Sequence, residues 1–109
     1  MAQTFNVVTS RRAQNDLFRN MAWWADHHSV SQAIEFEETV VLQLATHAEM
    51  PERFGYASEN GTFKFELRQM LVGLGSRPSY RAIYTIYTIQ GSDVLVLSIR
   101  RGAQGKYTE

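Results

Sequence analysis

Seven of the eleven Lys and Arg residues fall in residues 62–109, against three acids, while residues 1–61 hold four Arg and eight Asp or Glu. Within the basic half, Lys64, Arg68, Arg81 and Arg100 share one side of three strand-like runs, with Tyr87 among them. Cations on one sheet face contact phosphates and an aromatic ring stacks a base, so the chemistry this pattern supports is recognition of a phosphodiester. The same pattern also serves plain solubility, since open sheet faces carry Lys and Arg for that reason alone, and Glu66 lies on the same side. Other candidates reduce to structure. Asp26-His27-His28 lacks a ligand spaced four residues away, so it reads as a solvated helix end and no metal is expected. Gly73-x-Gly75 precedes no helix and reads as a turn. Ser10, Ser29 and Ser31 read as helix caps.

Three strands must carry the basic face. Phe63, Phe65, Leu67 and Leu71 alternate with Lys64, Glu66, Arg68 and Met70, which predicts a half-buried strand. After the turn at 73–78, the β-branched and aromatic run Tyr80 to Ile89 predicts a central strand. Gly91-Ser92 then offers a two-residue turn into Val94 to Arg101. That turn places Arg81 opposite Gly102, Ile83 opposite Arg100 and Thr85 opposite Ser98. Tyr84, Ile86, Leu95, Leu97 and Ile99 then form the face that packs inward, and Arg81, Thr85, Tyr87, Ser98 and Arg100 the other.

Upstream, Phe5 to Thr9 predicts a short first strand, and Ala13, Leu17, Met21 and Trp24 recur at helical intervals from Arg11 to His28. Ser29-Val30-Ser31-Gln32 has capping-box spacing, and a second helix with Ala33, Val40 or Val41, Leu44, Ala45 and Ala48 inward runs to Pro51. Residues 51–61 read as a loop. The expected fold class is α+β: an N-terminal strand and an antiparallel two-helix hairpin packed on one face of a mainly antiparallel sheet of about four strands.

With 109 residues the chain is expected to be one domain, 1–109. Absence of cysteine excludes disulfides, thiolate catalysis and Cys-ligated zinc, and no cofactor motif is present. No apolar run reaches the length of a membrane span, and Met1 to Ser10 does not read as a signal peptide, so no membrane association and a cytoplasmic location are expected.

The ordered set Ser10-Arg11-Arg12-Ala13 with Asp16-Leu17, Met50-Pro51-Glu52-Arg53-Phe54-Gly55, Phe65-Glu66-Leu67-Arg68-Gln69-Met70, Ser79-Tyr80-Arg81-Ala82-Ile83-Tyr84 and Val94 to Gly102 resembles the RelE/ParE superfamily of bacterial toxins, over nearly the whole chain. That resemblance implies a toxin of a type II toxin–antitoxin (plasmid stabilisation) system, held by a cognate antitoxin in a hetero-oligomer and arresting growth when released. ParE-like members inhibit DNA gyrase; RelE-like members are metal-independent mRNA endoribonucleases acting on the ribosome. For the nuclease, in which a 2′-hydroxyl attacks phosphorus, the resemblance implies Arg81 and Arg101 stabilising the charge and Tyr107 or a lysine (Lys64, Lys106) assisting proton transfer; Lys64, Arg68, Tyr87, Arg100 and Lys106 are the expected substrate contacts. The acidic helical hairpin, the Glu66-Leu67-Arg68-Gln69 strand and the Ile99-Arg100-Arg101-Gly102 ending are more similar to ParE-type members, and this reading is preferred. Trp23 and Trp24 are the expected antitoxin contacts.

Overall fold

Ser10 is where strand becomes helix. Its backbone is extended (φ −63°, ψ 160°) and its N–H bonds the Val96 carbonyl at 3.0 Å, while its Oγ accepts the Ala13 N–H at 3.0 Å. It thus closes β1 (Asn6–Thr9) and caps α1 (Arg11–His27). The computed structural model describes residues 6–47, 49–76, 78–87 and 93–101. Ser29 Oγ accepts the Gln32 N–H at 3.1 Å and starts α2 (Val30–His47), so the two helices turn on two residues. A single 3₁₀ turn at Pro51–Arg53 follows. The remaining strands are β2 (Arg68–Val72), β3 (Tyr80–Tyr87) and β4 (Asp93–Arg101). They form a sheet of order β1-β4-β3-β2, with β1 parallel to β4 and the other pairings antiparallel.

The helices cover one sheet face. Ala13, Phe36, Val40 and Leu44 pack with Met70, Val72, Ala82, Tyr84, Val94, Val96 and Ile99, and Leu17, Met21 and Trp24 complete that layer. Phe36 lies between the rings of Trp24 (5.8 Å) and Tyr80 (4.8 Å), and Trp24 Nε1 donates to the Tyr80 hydroxyl at 3.1 Å. Among the expected inward positions of the second helix, Ala33, Val40 and Leu44 are buried, Val41 and Ala45 are exposed, and Ala48 lies outside the described residues.

Three sequence expectations are corrected. The strand after the loop begins at Arg68, and its inward residues are Met70 and Val72, with Leu71 51% exposed. The alternation of Phe63, Phe65 and Leu67 belongs to a non-strand segment, in which Phe63 and Leu67 pack against the opposite sheet face. The β3–β4 register also differs: Arg81 pairs with Arg100, Ile83 with Ser98 and Thr85 with Leu95. A β-bulge between the Ile83 and Tyr84 pairings leaves Leu97 as the extra residue, so Val94 and Val96, rather than Leu95 and Leu97, join Ile99 inside. The ladder ends at Tyr87 and Asp93; the expected Gly91-Ser92 turn lies outside the described residues.

The third correction concerns the face expected to be open. Residues 54–67 fold back over it, and Ala57 and Leu67 bury Ile83 there with Phe63 and Leu97. Ala57 N–H to Leu67 O (2.8 Å) and Gln69 N–H to Gly55 O (3.1 Å) tie this segment along the outer side of β2.

Candidate functional site

Arg81 projects from β3 into the covering segment. Its Nη1 and Nη2 meet the two carboxylate oxygens of Glu59 at 3.0 and 2.9 Å, and Nη1 also donates to Gln69 Oε1 at 2.9 Å. Glu59 is 2% exposed, so this is a buried bidentate pair. The hydrogen bond that Arg81 donates to Glu59 raises its pKa above the ordinary value against the opposing effect of burial, and the guanidinium stays charged. A loop acid placed 22 residues before Arg81 carries no local sequence signal, which is why residue patterning misses it.

Arg68 is also built into the fold. Its Nη1 donates to the carbonyls of Glu52 (3.0 Å) and Phe54 (2.6 Å), and its guanidinium lies 4.6 Å from the Tyr56 ring centroid. Across the β2–β3 pairing, Tyr84 sends its hydroxyl to the Pro51 carbonyl. Both side chains therefore fasten the turn that follows α2. Burial pushes the Tyr84 hydroxyl up to about 12, with the Arg68 charge pulling the other way.

The expected basic face is thus dispersed. Arg68 and Arg81 are held in separate networks, Lys64 is exposed on the segment before β2, and Tyr87 ends β3 with its side chain outside the described residues, as are Lys106 and Tyr107. Arg100 and Arg101 sit at the end of β4, beside α1. Arg100 borders an open cleft of about 590 Å³ with Arg11, Arg12, Asn15, Asp16 and Arg19. Arg101 places its guanidinium 5.2 Å from the Trp23 ring and borders an adjoining cleft with Arg19, Asn20, Ala22, Trp23, Asp26 and His27.

Asp16 organises the floor between them. It is 3% exposed, and its Oδ2 accepts from Ser98 Oγ at 2.7 Å and from the Ile99 N–H at 3.0 Å, while Oδ1 pairs with Arg19. The reason lies in the topology: β1 pairs with β4 only as far as Val96, so the Ile99 N–H beyond it would lack a strand partner. α1 supplies one from its side. The stripe Arg12, Asp16, Arg19, Trp23 recurs at four, three and four residues and marks one helix face, a signal the half-chain charge count conceals.

Trp24 belongs to the core layer, and Trp23 is half-buried against His27 (4.4 Å, nearly parallel) and His28 (5.7 Å). Larger apolar exposure lies elsewhere on the hairpin, at Phe18 (63%), Val30 (66%) and Leu42 (68%), with Ile34 and Val41 about half exposed. Val30, Ile34 and Val41 share one stripe of α2. Among the described residues no group of three or more acidic or His side chains is placed to hold a metal, and no helix is long and apolar enough to cross a membrane.

No protein-family model matches the chain, and no curated protein matches it by sequence. Among solved structures it is similar to one described as "Chromosomal ParDE TA system from P. aeruginosa", with a TM-score of 0.70 and 17% identity, covering 90% of this chain and 96% of that one. With two helices packed on a four-stranded mixed sheet, the chain shares the α+β fold of that ParDE-system structure.

Proposed function

We propose that this chain is the toxin of a type II toxin–antitoxin pair and acts in the ParE manner, by inhibiting DNA gyrase. The fold likeness to a chain of a ParDE system supports the toxin reading. What favours ParE-type over RelE-type action is the engagement of Arg81, the residue the nuclease reading assigns to phosphorus: it is locked to buried Glu59 and to Gln69 beneath the covering segment. A catalytic guanidinium must reach the charge that develops on the phosphoryl oxygens, and this one faces a carboxylate inside the protein.

The partner is a cognate antitoxin. The exposed apolar residues of the hairpin, Phe18, Val30, Ile34, Val41 and Leu42, together with the edge of Trp23, give an amphipathic antitoxin helix more contact area than Trp24, which the core already holds.

The test sets two assays of the purified chain side by side. Gyrase supercoiling, with trapping of cleaved DNA, is expected to show inhibition, and primer extension on mRNA from translating ribosomes is expected to show no new ends. Discrete mRNA cuts with gyrase unaffected would replace this reading with the ribonuclease. Growth of cells expressing the chain without its antitoxin, unchanged from controls, would overturn the toxin reading itself. Arg81→Ala is a poor catalytic probe, because it strands Glu59 as a buried lone charge and damages the fold.

A further inference from the structure

We infer that the cleft between α1 and the end of β4 is a docking surface for an acidic peptide segment of a protein partner. Arg11, Arg12 and Arg19 come from the helix and Arg100 from the strand, and Arg101 extends the surface along the adjoining cleft. All five cations are arginines. Guanidinium matches carboxylate in a two-point geometry and loses less on leaving water than an ammonium does.

Two acids border these clefts against the five arginines: exposed Asp26 in the adjoining one, and Asp16, paired with Arg19, in the main cleft. Asp16 is buried at its floor, with its oxygens turned to Ser98, the Ile99 N–H and Arg19. Arg12, Arg100 and Arg101 each make a contact within the fold, and the inference does not need them bare, since a guanidinium carries five N–H donors. Arg11, Arg12 and Arg19 are exposed.

A nucleic acid is the competing polyanion, and the rest of the molecule disfavours it. The chain carries no net charge, and α2 brings Glu35, Glu37 and Glu38 to the same helical layer. A phosphodiester strand continues its charge beyond the patch over a chain with no net positive charge to hold it, whereas an acidic peptide can confine its carboxylates to the cleft. Trp23, half-buried beside Arg101 and His27, adds an aromatic wall against which an apolar side chain of such a peptide packs.

The test is fluorescence anisotropy with a labelled peptide of alternating Glu and Leu and a labelled single-stranded RNA of equal charge. Three proteins are compared: the unaltered chain, Arg11→Ser/Arg12→Ser, and Arg53→Ser as an exposed arginine outside the cleft. Circular dichroism and thermal midpoint establish that each is folded. The expected result is peptide binding that weakens with salt, falls about tenfold in the double variant and is unchanged in Arg53→Ser. No peptide binding, an equal loss in Arg53→Ser, or tighter binding of RNA than of peptide would each overturn the inference. It concerns binding alone and stands whether or not the chain arrests growth.

Discussion

Tyr84 and Arg68 show how single side chains are committed to holding this fold. Facing each other across β2 and β3, they anchor the turn at Pro51–Arg53 through three carbonyl oxygens: Pro51 from Tyr84, and Glu52 and Phe54 from Arg68. Tyr84 is fully buried, and a phenolate there would sit in a poorly hydrated site facing a carbonyl that needs a donor. The folded pKa, pushed up to about 12, exceeds the unfolded value of about 10. A group that ionises later in the folded state contributes stability that is complete below the unfolded pKa and is lost as pH rises through the folded one. Denaturant unfolding should therefore show stability falling between about pH 10 and 12, by a contribution on the order of 2 kcal/mol from this residue. Tyr84→Phe should start lower at pH 8, having lost a buried hydrogen bond, and should show a shallower alkaline decline. Parallel pH profiles for the two proteins would contradict this assignment.

At the scale of elements, the stop signal of β2 is a contact with α2. Gln43 holds Gly73 on both sides, accepting its N–H at 2.7 Å and donating to its carbonyl at 3.2 Å. Gly73 has φ +127°, and a Cβ there would come within 3.2 Å of the Tyr80 ring, so the position needs glycine for both backbone and space. Gln43→Ala is expected to lower the unfolding free energy by about 2 kcal/mol, since it leaves two poorly hydrated backbone groups unpaired. Gly73→Ala should cost at least as much, and unfolding midpoints within error of the unaltered chain would refute the role of this clamp. The helices were legible in the sequence because apolar residues three to four positions apart line up on one face only when the chain is helical, and Ser10 and Ser29 cap where their spacing predicts. Phe36 lies on the same stripe as Ala33, Val40 and Leu44, three to four residues apart, but its place between two glutamates hides it, although its ring joins both helices to Tyr80. Strand parity was less legible. Phe63 and Leu67 alternate in a segment that packs as a loop, and the bulge at Leu97 shifts the register without any Gly or Pro to announce it. In the candidate site the arginines were visible, but not their partners, because Glu59 and Asp16 reach Arg81 and β4 only through the fold.

Across the whole molecule, the sheet is covered by two layers of unequal strength, and the difference bears on function. The helical side buries a large continuous cluster, whereas the opposite side is held by Ala57, Leu67, Ile83, Phe63 and Leu97 and by the Arg81–Glu59 pair. Less apolar area is removed from water on that side, so its free energy of local opening should lie below that of global unfolding. A buried ion pair becomes a liability when one charge is removed, and Glu59→Gln leaves the guanidinium of Arg81 without its carboxylate. In hydrogen exchange, the amides of Ala57, Leu67 and Gln69, which bond within or onto the covering segment, should exchange sooner than those of β3. Glu59→Gln should accelerate exchange at these three amides by about tenfold or more while leaving the middle of α1 and α2 nearly unchanged. Uniform acceleration along the whole chain would mean that the segment and the helical layer unfold as one unit. The distinction matters because this segment covers Arg81 and Ile83: a ribonuclease using Arg81 would have to open it, and Glu59→Gln would then raise activity on the ribosome. A gyrase inhibitor acting through other surfaces would lose potency only as far as the fold weakens. The same variant therefore connects a measurement of local stability to the choice between the two activities.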